Sequence, residues 1–313
     1  MERRKVVLVG TGFVGMSMAY SLLNQGGVNE LVLIDVIKEK AEGEALDLAH
    51  GVAYAPRKMD IKYGDYSECK DADIVVVTAG IAQKPGQTRL ELVETNAKIT
   101  KSIVEQVMEN GFKGIFVVAS NPVDIMTHIV QKVSGLPTSK VIGSGTMLDT
   151  ARLRYLLGER LNVSPKNTHA YVMGEHGDSS FVPWEHCYVG CKKLTDIAKN
   201  KHKNMEDLEE IREQVKNAAY EIIEKKKATY YGIGVALTRL VRAILDDEQS
   251  IFTVSTYLNG EYNEKDIFIG VPAIITNKGV REILELPLNE KDQERFSKSC
   301  KVLRETMDGL NLK

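Results

Sequence analysis

The chain begins with a short run of aliphatic, mostly β-branched residues, Val6 to Val9, which ends on Gly10 and gives way to an apolar-periodic segment from Phe13 to Leu23. Four consecutive apolar positions followed by a period near 3.6 predict a buried strand and then a helix, with Gly26 and Gly27 as the stop. A second apolar run, Leu31 to Ile34, predicts the next strand. Strand, glycine turn, helix and strand in that order make one βαβ unit, whose crossover is right-handed and whose strands are parallel. Further runs at Ile74 to Thr78, Ile115 to Ala119 and Val141 to Ile142 are separated by helical sequence at Glu91 to Met108 and Ile125 to Val133. Continuous rather than alternating apolar runs are expected of strands buried on both faces, so the first half reads as an α/β, doubly wound parallel sheet. The long helix carries Leu92, Val93, Ile99, Ile103, Val107 and Met108 on one stripe, which a core alone explains.

After about Gly145 the alternation loosens. Asp149 to Leu161 reads as a helix, Thr168 to Met173 as strand-like, and Met205 to Lys227 as a long amphipathic helix. Strands at Ser250 to Tyr257 and Asp266 to Val271 precede a charged amphipathic helix from Glu290 to about Asp308. This predicts two domains, a sheet domain over 1–145 and a mixed α+β domain over 146–313. With no repeat, low-complexity tract or Pro/Gly linker between them, they should pack tightly around a cleft.

Composition narrows the function classes. Hydrophobic residues are 43% and charged residues 27% of 313, a globular balance, and the net charge of -2 gives no concentrated basic surface for nucleic acid. Two basic runs, Lys199 to Lys203 and Lys225 to Lys227, adjoin acidic helical sequence and read as solvated faces. Basic Met1 to Lys5 followed by uncharged Val6 to Leu23 imitates a signal peptide or short anchor, but Gly10, Gly12 and Gly15 interrupt the apolar stretch and another strand follows it. No membrane segment is expected. Cys69, Cys187, Cys191 and Cys300 show neither C-x-x-C pairing nor disulfide-scaffold density, so reduced thiols in a cytoplasmic protein are expected. Cys187 and Cys191, with His186, do not complete a zinc set, and no metal is expected.

The segment GTGFVG, Gly10 to Gly15, is a G-x-G-x-x-G where a strand enters a helix. Alone the motif is weak, and its glycines could simply make a tight turn. Asp35, however, stands at the end of the next strand, twenty positions after Gly15. There a carboxylate can accept hydrogen bonds from a ribose hydroxyl pair while the helix N-terminus takes a pyrophosphate, the Rossmann arrangement. An anion at Asp35 repels a 2′-phosphate, which favours NAD over NADP.

In the second half, GEHGD places His176 after a predicted strand. A lone histidine is usually structural, yet imidazole suits proton exchange near neutrality, which hydride transfer to a carbonyl requires. Asp149, in LDTAR, is the candidate carboxylate to orient it, and Arg152 shares Asp149's helical face. An arginine there can grip a substrate carboxylate through two parallel hydrogen bonds, but an i, i+3 Asp–Arg pair is also the mark of a local helix ion pair.

Taken together, GTGFVG, TAGIAQKPGQTR, ASNPVD, GSGTMLDTARLR, HAYVMGEHGDS and KKATYYGIG resemble, in order and spacing and over essentially the whole chain, the lactate/malate dehydrogenase family, most closely its bacterial L-lactate branch. The resemblance implies NAD-dependent interconversion of pyruvate and L-lactate. It makes His176 the proton donor and acceptor, held by Asp149, and gives the substrate carboxylate to Arg152. Arg89 would swing in with a mobile loop and polarise the carbonyl, and Asn121 would touch both nicotinamide and substrate. By the same resemblance Val14, Lys40, Tyr66, Gly80, Ile81 and Ser102 line the dinucleotide.

Members that take malate carry an arginine where this chain has neutral Gln83, because a second substrate carboxylate needs a second cation. Thr229 matches the lactate pattern at the other wall of the pocket. Arg154 and His169 match the pair that binds fructose 1,6-bisphosphate between subunits in many bacterial members, which are usually tetrameric. Glu185 departs from the family's small polar residue. A malate or broader 2-hydroxy acid dehydrogenase is the enzymatic alternative, and a non-catalytic dinucleotide-binding protein on the same fold is the alternative from another class.

Overall fold

The structure is a computed structural model and describes residues 4–81, 89–200 and 205–310. Strands β1 (Lys5–Val9), β2 (Glu30–Ile34), β3 (Asp60–Tyr63), β4 (Ile74–Val77), β5 (Ile115–Val118) and β6 (Val141–Gly143) are all parallel and lie in the order β3-β2-β1-β4-β5-β6. Helices α1 (Phe13–Gln25), α2 (Lys38–His50), α3 (Arg89–Glu109) and α4 (Val123–Ser134) supply the crossovers. The predicted doubly wound sheet is therefore present, and the stretch that imitated a signal peptide is the buried strand β1 and the helix α1.

Burial follows strand parity. Val7, Val9, Val32, Val75, Val77, Phe116 and Val118 join one core cluster with residues of α3 and α4, while Val6, Leu8, Leu31, Leu33, Ile74, Val76 and Val117 join a second cluster with residues of α1. A sheet covered on both faces needs apolar residues at every position, which is why its strands read as continuous runs. On α3, Val93, Ile103 and Val107 are buried, and Ala97 and Val104 complete the stripe.

The second half adds α5 (Met147–Leu161), β7 (Thr168–His169), β8 (Tyr188–Val189), β9 (Lys192–Lys193), α6 (Leu194–Asn200), α7 (Met205–Lys226) and α8 (Tyr231–Leu245). It closes with β10 (Ser250–Asn259), β11 (Lys265–Thr276), β12 (Gly279–Ile283) and α9 (Glu290–Asp308). β10, β11 and β12 are antiparallel and extend the main sheet beyond β6, so nine strands form one sheet, while β7, β8 and β9 form a small one. A third cluster, including Leu153, Leu157, Val172, Trp184, Ile211 and Val215, packs α5 against α7. No helix of the described residues is long and apolar enough to cross a membrane.

One predicted strand is shorter than expected. β7 ends at His169, because the Val172 backbone turns to side chains, its N donating to Thr150 Oγ1 at 2.9 Å and its O accepting from Thr146 Oγ1 at 2.6 Å, and Met173 pairs with Phe181 only as an isolated bridge. The basic run at the end of α7 is exposed, with Lys225 paired to Glu221 and Lys226 over the Tyr230 and Tyr231 rings. Residues 201–203 of the other run lie outside the described residues. Glu185 is exposed and 4.0 Å from Lys193.

Helices α1 and α8 cross at Gly234, where an added Cβ would lie 2.6 Å from Ser17 Cβ and 2.9 Å from Met18 N. Gly234→Ala should therefore force the helices apart and cost about 1–3 kcal/mol, read as a lower urea midpoint at unchanged slope. An unaltered midpoint would show that this crossing is not close-packed in solution.

Candidate active site

In the order β3-β2-β1-β4-β5-β6 the chain switches direction between β1 and β4, and a crevice opens outside the carboxyl ends of those strands. The glycine turn follows β1 at that point. Gly10 has φ +106°, and a Cβ on it would sit 2.6 Å from Ala79 N; on Gly15 a Cβ would sit 2.2 Å from Gly10 O. These two glycines let the turn lie against the β4 exit and the helix against the turn. Gly12 faces open space, with nothing within 4 Å of its would-be Cβ. It is also the N-cap of α1, which has no side-chain cap and no acidic residue in its first turn. Uncapped first-turn amides at the positive helix end, beside an open glycine, fit a pyrophosphate.

Asp35, at the end of β2, accepts from Thr11 N at 2.7 Å, Thr11 Oγ1 at 2.9 Å and Ile37 N at 3.0 Å. Burial opposes its charge, but the Ile37 and Thr11 bonds and the nearby Lys40 ammonium outweigh it and hold the carboxyl below its usual range. Lys40 Nζ donates to Thr11 O at 2.6 Å, which ties α2 to the turn. Burial chiefly pushes the Tyr66 hydroxyl up to about 12, with the Asp35 charge adding to it. The residues present thus fit NAD: open amides for the phosphates and an anionic acceptor for the ribose.

Val14 packs partly buried in the first turn of α1, and Gly80 and Ile81 follow β4. Ser102 lies exposed on α3, its hydroxyl engaged by Gln106 Nε2 at 3.4 Å. Asn96 of α3, which sequence reading missed, clamps this wall. Its Oδ1 accepts from Ile81 N at 2.9 Å, and its Nδ2 donates to Asn121 O at 2.9 Å and Ile81 O at 3.3 Å. The loops after β4 and β5 are thereby held at one side chain, and Asn121 is placed at the sheet's carboxyl edge ahead of α4.

The second half brings three predicted residues together. Asp149 stands in the first turn of α5, where an acid is favoured by the helix dipole. Its Oδ2 is 2.7 Å from His176 Nδ1 and its Oδ1 accepts from Arg152 Nη1 at 2.9 Å. Imidazole and guanidinium therefore converge on one carboxylate, and Asp149–Arg152 is both a local helix pair and part of this cluster. The bond at Nδ1 places the proton there in the neutral ring and leaves Nε2 as the outward nitrogen. Burial opposes a charged imidazole, yet the Asp149 charge and hydrogen bond, with the Asp124 charge behind them, carry His176 up to about 9. Burial likewise disfavours the Asp149 anion, but His176 and Arg152 hold its carboxyl below the usual range.

The loop carrying His176 is pinned from three elements. Gly174, at φ +98°, exchanges backbone bonds with Gly270 of β11 at 2.9 and 3.1 Å. Glu175 N donates to Ser299 Oγ of α9 at 2.7 Å, and His176 N donates to Asp124 Oδ2 of α4 at 2.8 Å. Asp124 and Ser299 carry no marker in sequence beyond lying in ASNPVD and on a helix's buried face.

Thr229 is half-buried just before α8, whose Gly232 packs on Leu148 next to Asp149. Arg89 is the first residue of α3, and its side chain, like all of Gln83, lies outside the described residues. Arg154 donates to Pro165 O at 3.2 Å and Lys166 O at 3.4 Å, and His169 is exposed on β7. Among the described residues no group of three or more His, Cys, Asp or Glu side chains is arranged to hold a metal.

Comparison with known proteins agrees with this geometry. Residues 4–143 match the lactate/malate dehydrogenase NAD binding domain, and residues 146–311 match the lactate/malate dehydrogenase alpha/beta C-terminal domain. L-lactate dehydrogenase 2 of Bacillus cereus (strain ZK / E33L) is 57% identical over 304 residues, 97% of both chains. L-lactate dehydrogenase 2 of Lactococcus lactis subsp. lactis (strain IL1403) is 55% identical over 308 residues, 98% of both. The crystal structure of the minor L-lactate dehydrogenase from Enterococcus mundtii in its ligands-bound form superposes with a TM-score of 0.98 at 54% identity, covering 99% of each chain. With both halves matched and relatives this similar along nearly its full length, the chain belongs to the lactate/malate dehydrogenase family.

Proposed function

We propose that this chain is an NAD-dependent L-lactate dehydrogenase that interconverts pyruvate and L-lactate. The observation that carries the reading is the sharing of the Asp149 carboxylate by His176 Nδ1 and Arg152 Nη1, at the carboxyl edge of a sheet whose first turn is open to a dinucleotide.

The cofactor, when bound, would supply a hydride as NADH, or accept one as oxidised NAD, at the carbon that bears the substrate oxygen. Arg152 has spent one N–H on Asp149, and its remaining donors hold the substrate carboxylate. His176 Nε2 donates a proton to the carbonyl oxygen as it becomes an alkoxide, and in the reverse direction takes the hydroxyl proton. Asp149 keeps the ring oriented and stabilises its charged form. By the family pattern Arg89 polarises the carbonyl, Asn121 contacts substrate and nicotinamide, and Gly10, Gly12, Val14, Gly15, Asp35, Lys40, Tyr66, Gly80, Ile81 and Ser102 form the dinucleotide wall. The division into a cofactor domain over 1–145 and a substrate domain over 146–313 is part of the same reading.

The substrate is monocarboxylic because Gln83 and Thr229 offer no second cation, and desolvating a second carboxylate against an amide is unfavourable. NADH oxidation measured with pyruvate, oxaloacetate and a branched 2-oxo acid tests the assignment, with pyruvate giving the highest kcat/KM. Gln83→Arg should move the pyruvate/oxaloacetate ratio at least ~100-fold toward oxaloacetate, about 2.7 kcal/mol. A wild-type preference for oxaloacetate would replace this reading with malate dehydrogenase, and no turnover of any 2-oxo acid would leave a dinucleotide-binding protein.

The pH dependence has a definite sign. Pyruvate reduction needs the imidazolium, so its kcat/KM should be level below and fall about ten-fold per unit above the His176 value of about 9. Lactate oxidation needs the neutral ring and should rise toward the same pH. A reduction limb near 6.5 would mean that Asp149 does not support the charge.

The proposal extends to a cytoplasmic homotetramer in the fermentative end of glycolysis, activated by fructose 1,6-bisphosphate. Free thiols at Cys69, Cys187, Cys191 and Cys300 support a reducing compartment, and exposed Tyr20, Tyr155 and Tyr231 suit subunit contacts. Arg154 and His169 from paired subunits would repel until a bisphosphate neutralised them. Half-saturation by pyruvate should fall several-fold with the bisphosphate and lose that response in Arg154→Gln; an unchanged half-saturation removes the regulatory part alone.

A further inference from the structure

The Asp124 side chain is a buried acid in contact with the His176 loop that the proposed chemistry leaves without a role. It stands on the first turn of α4 with 2% of its surface exposed. Its Oδ2 accepts the His176 backbone N–H at 2.8 Å, whereas among the described residues its Oδ1 and the nearby buried Ser255 Oγ of β10 form no well-aligned hydrogen bond. Burying a carboxylate is costly, and the single bond it makes could be accepted equally well by the neutral amide of an asparagine. What the acid supplies over that amide is charge. The cation it faces is the His176 imidazole, a few bonds from the amide it holds.

We infer that Asp124 is a positioning residue that fixes the His176 loop through the backbone and, together with Asp149, biases the imidazole toward its charged form. This rests on the reading of His176 as the proton-transferring group.

The surroundings are consistent with that role. Asp149 and Arg152 reach His176 from α5 and oppose one another, Glu175 lies on the same loop, Ser255 comes from β10 and the Cys300 thiol from α9. Burial is the largest influence on Asp124 and raises its carboxyl; the Ser255 hydroxyl, the His176 amide and the His176 charge pull it back, leaving it at about 6. Above that pH Asp124 is an anion, so between about 6 and about 9 the cluster holds Arg152 and His176 as cations against Asp149 and Asp124 as anions. The bias is therefore present across the neutral range and is withdrawn in acid. Cys300 stays a thiol throughout, pushed up to about 12 mainly by burial.

Asp124→Asn keeps an acceptor for His176 N and offers an amide donor to Ser255, so the loop should hold its place while the charge is lost. The NMR titration of the His176 ring should drop by about one unit, roughly ten-fold in acidity, and the alkaline limb of pyruvate reduction should move down with it. A merely structural Asp124 would move neither, and an unchanged titration midpoint overturns the inference. Should the variant not fold, the wild-type protein decides. Its His176 resonance should show a minor inflection near 6 besides the main step, and a single step overturns the proposal. The titration needs no turnover, so absence of pyruvate reduction in the wild type would sink the lactate dehydrogenase reading while leaving this measurement to be judged by itself.

Discussion

The carboxylate of Asp149 has two oxygens, and a different cation claims each: the His176 ring at 2.7 Å and the Arg152 guanidinium at 2.9 Å. Buried as it is, the anion would be strongly destabilising alone, and each charge-assisted bond returns roughly 1.5–3 kcal/mol. Removing either partner from such a buried group typically costs about 3–5 kcal/mol. The consequence is geometric. A helix turn that carries Asp149 and Arg152 three residues apart must meet a loop from another part of the chain at one place, in one orientation.

Much of the second half serves that meeting. Thr146, the N-cap of α5, and Thr150 of α5 use their hydroxyls to hold the Val172 backbone, and Thr150 also contacts Thr253 of β10 at 2.8 Å. Gly174 and Gly270 bridge with no side chains between them, because a Cβ on Gly270 would lie 2.7 Å from Gly174 O. Gly145, at φ +49°, lets the chain pass within reach of Val254 and Ser255 on its way into α5. Extending the parallel sheet by β10 and β11 thus sets the cluster of His176, Asp149 and Arg152 beside β6. That is the same carboxyl edge at which the glycine turn opens.

How legible this was in the sequence depended on whether the cause was local. The glycine turn, the continuous strands and α5 announce themselves because φ, parity and helical period act within a few residues. β3, with an exposed and charged pattern, and β12, with only five residues and alternating charge, lacked an apolar run and passed unnoticed. The Thr168 to Met173 run looked like one strand because its apolar side chains face a core. Beyond His169, however, the Val172 backbone bonds to the Thr146 and Thr150 hydroxyls and Met173 pairs only with Phe181, which no pattern within the run reveals. Asn96, Asp124 and Ser299 escaped for the same reason: each acts across 15 or more positions, through a partner's backbone rather than through its own neighbours.

The charge count at the centre bears on which acid the site accepts. With His176 protonated and Asp124 ionised, the cations His176 and Arg152 face the anions Asp149 and Asp124, beside the buried Glu175 of the same loop. In the proposed reaction Arg89 adds one positive charge and a 2-oxo monocarboxylate one negative charge, so the two added charges balance each other. A dicarboxylate would leave an excess negative charge in a desolvated space, where Coulomb energies are several times those in water. In the proposed assignment a cation at position 83 would restore that balance, and the residue there is a neutral glutamine. Selectivity for the smaller acid is then a property of the whole charge set around Asp149, expressed through one uncharged side chain.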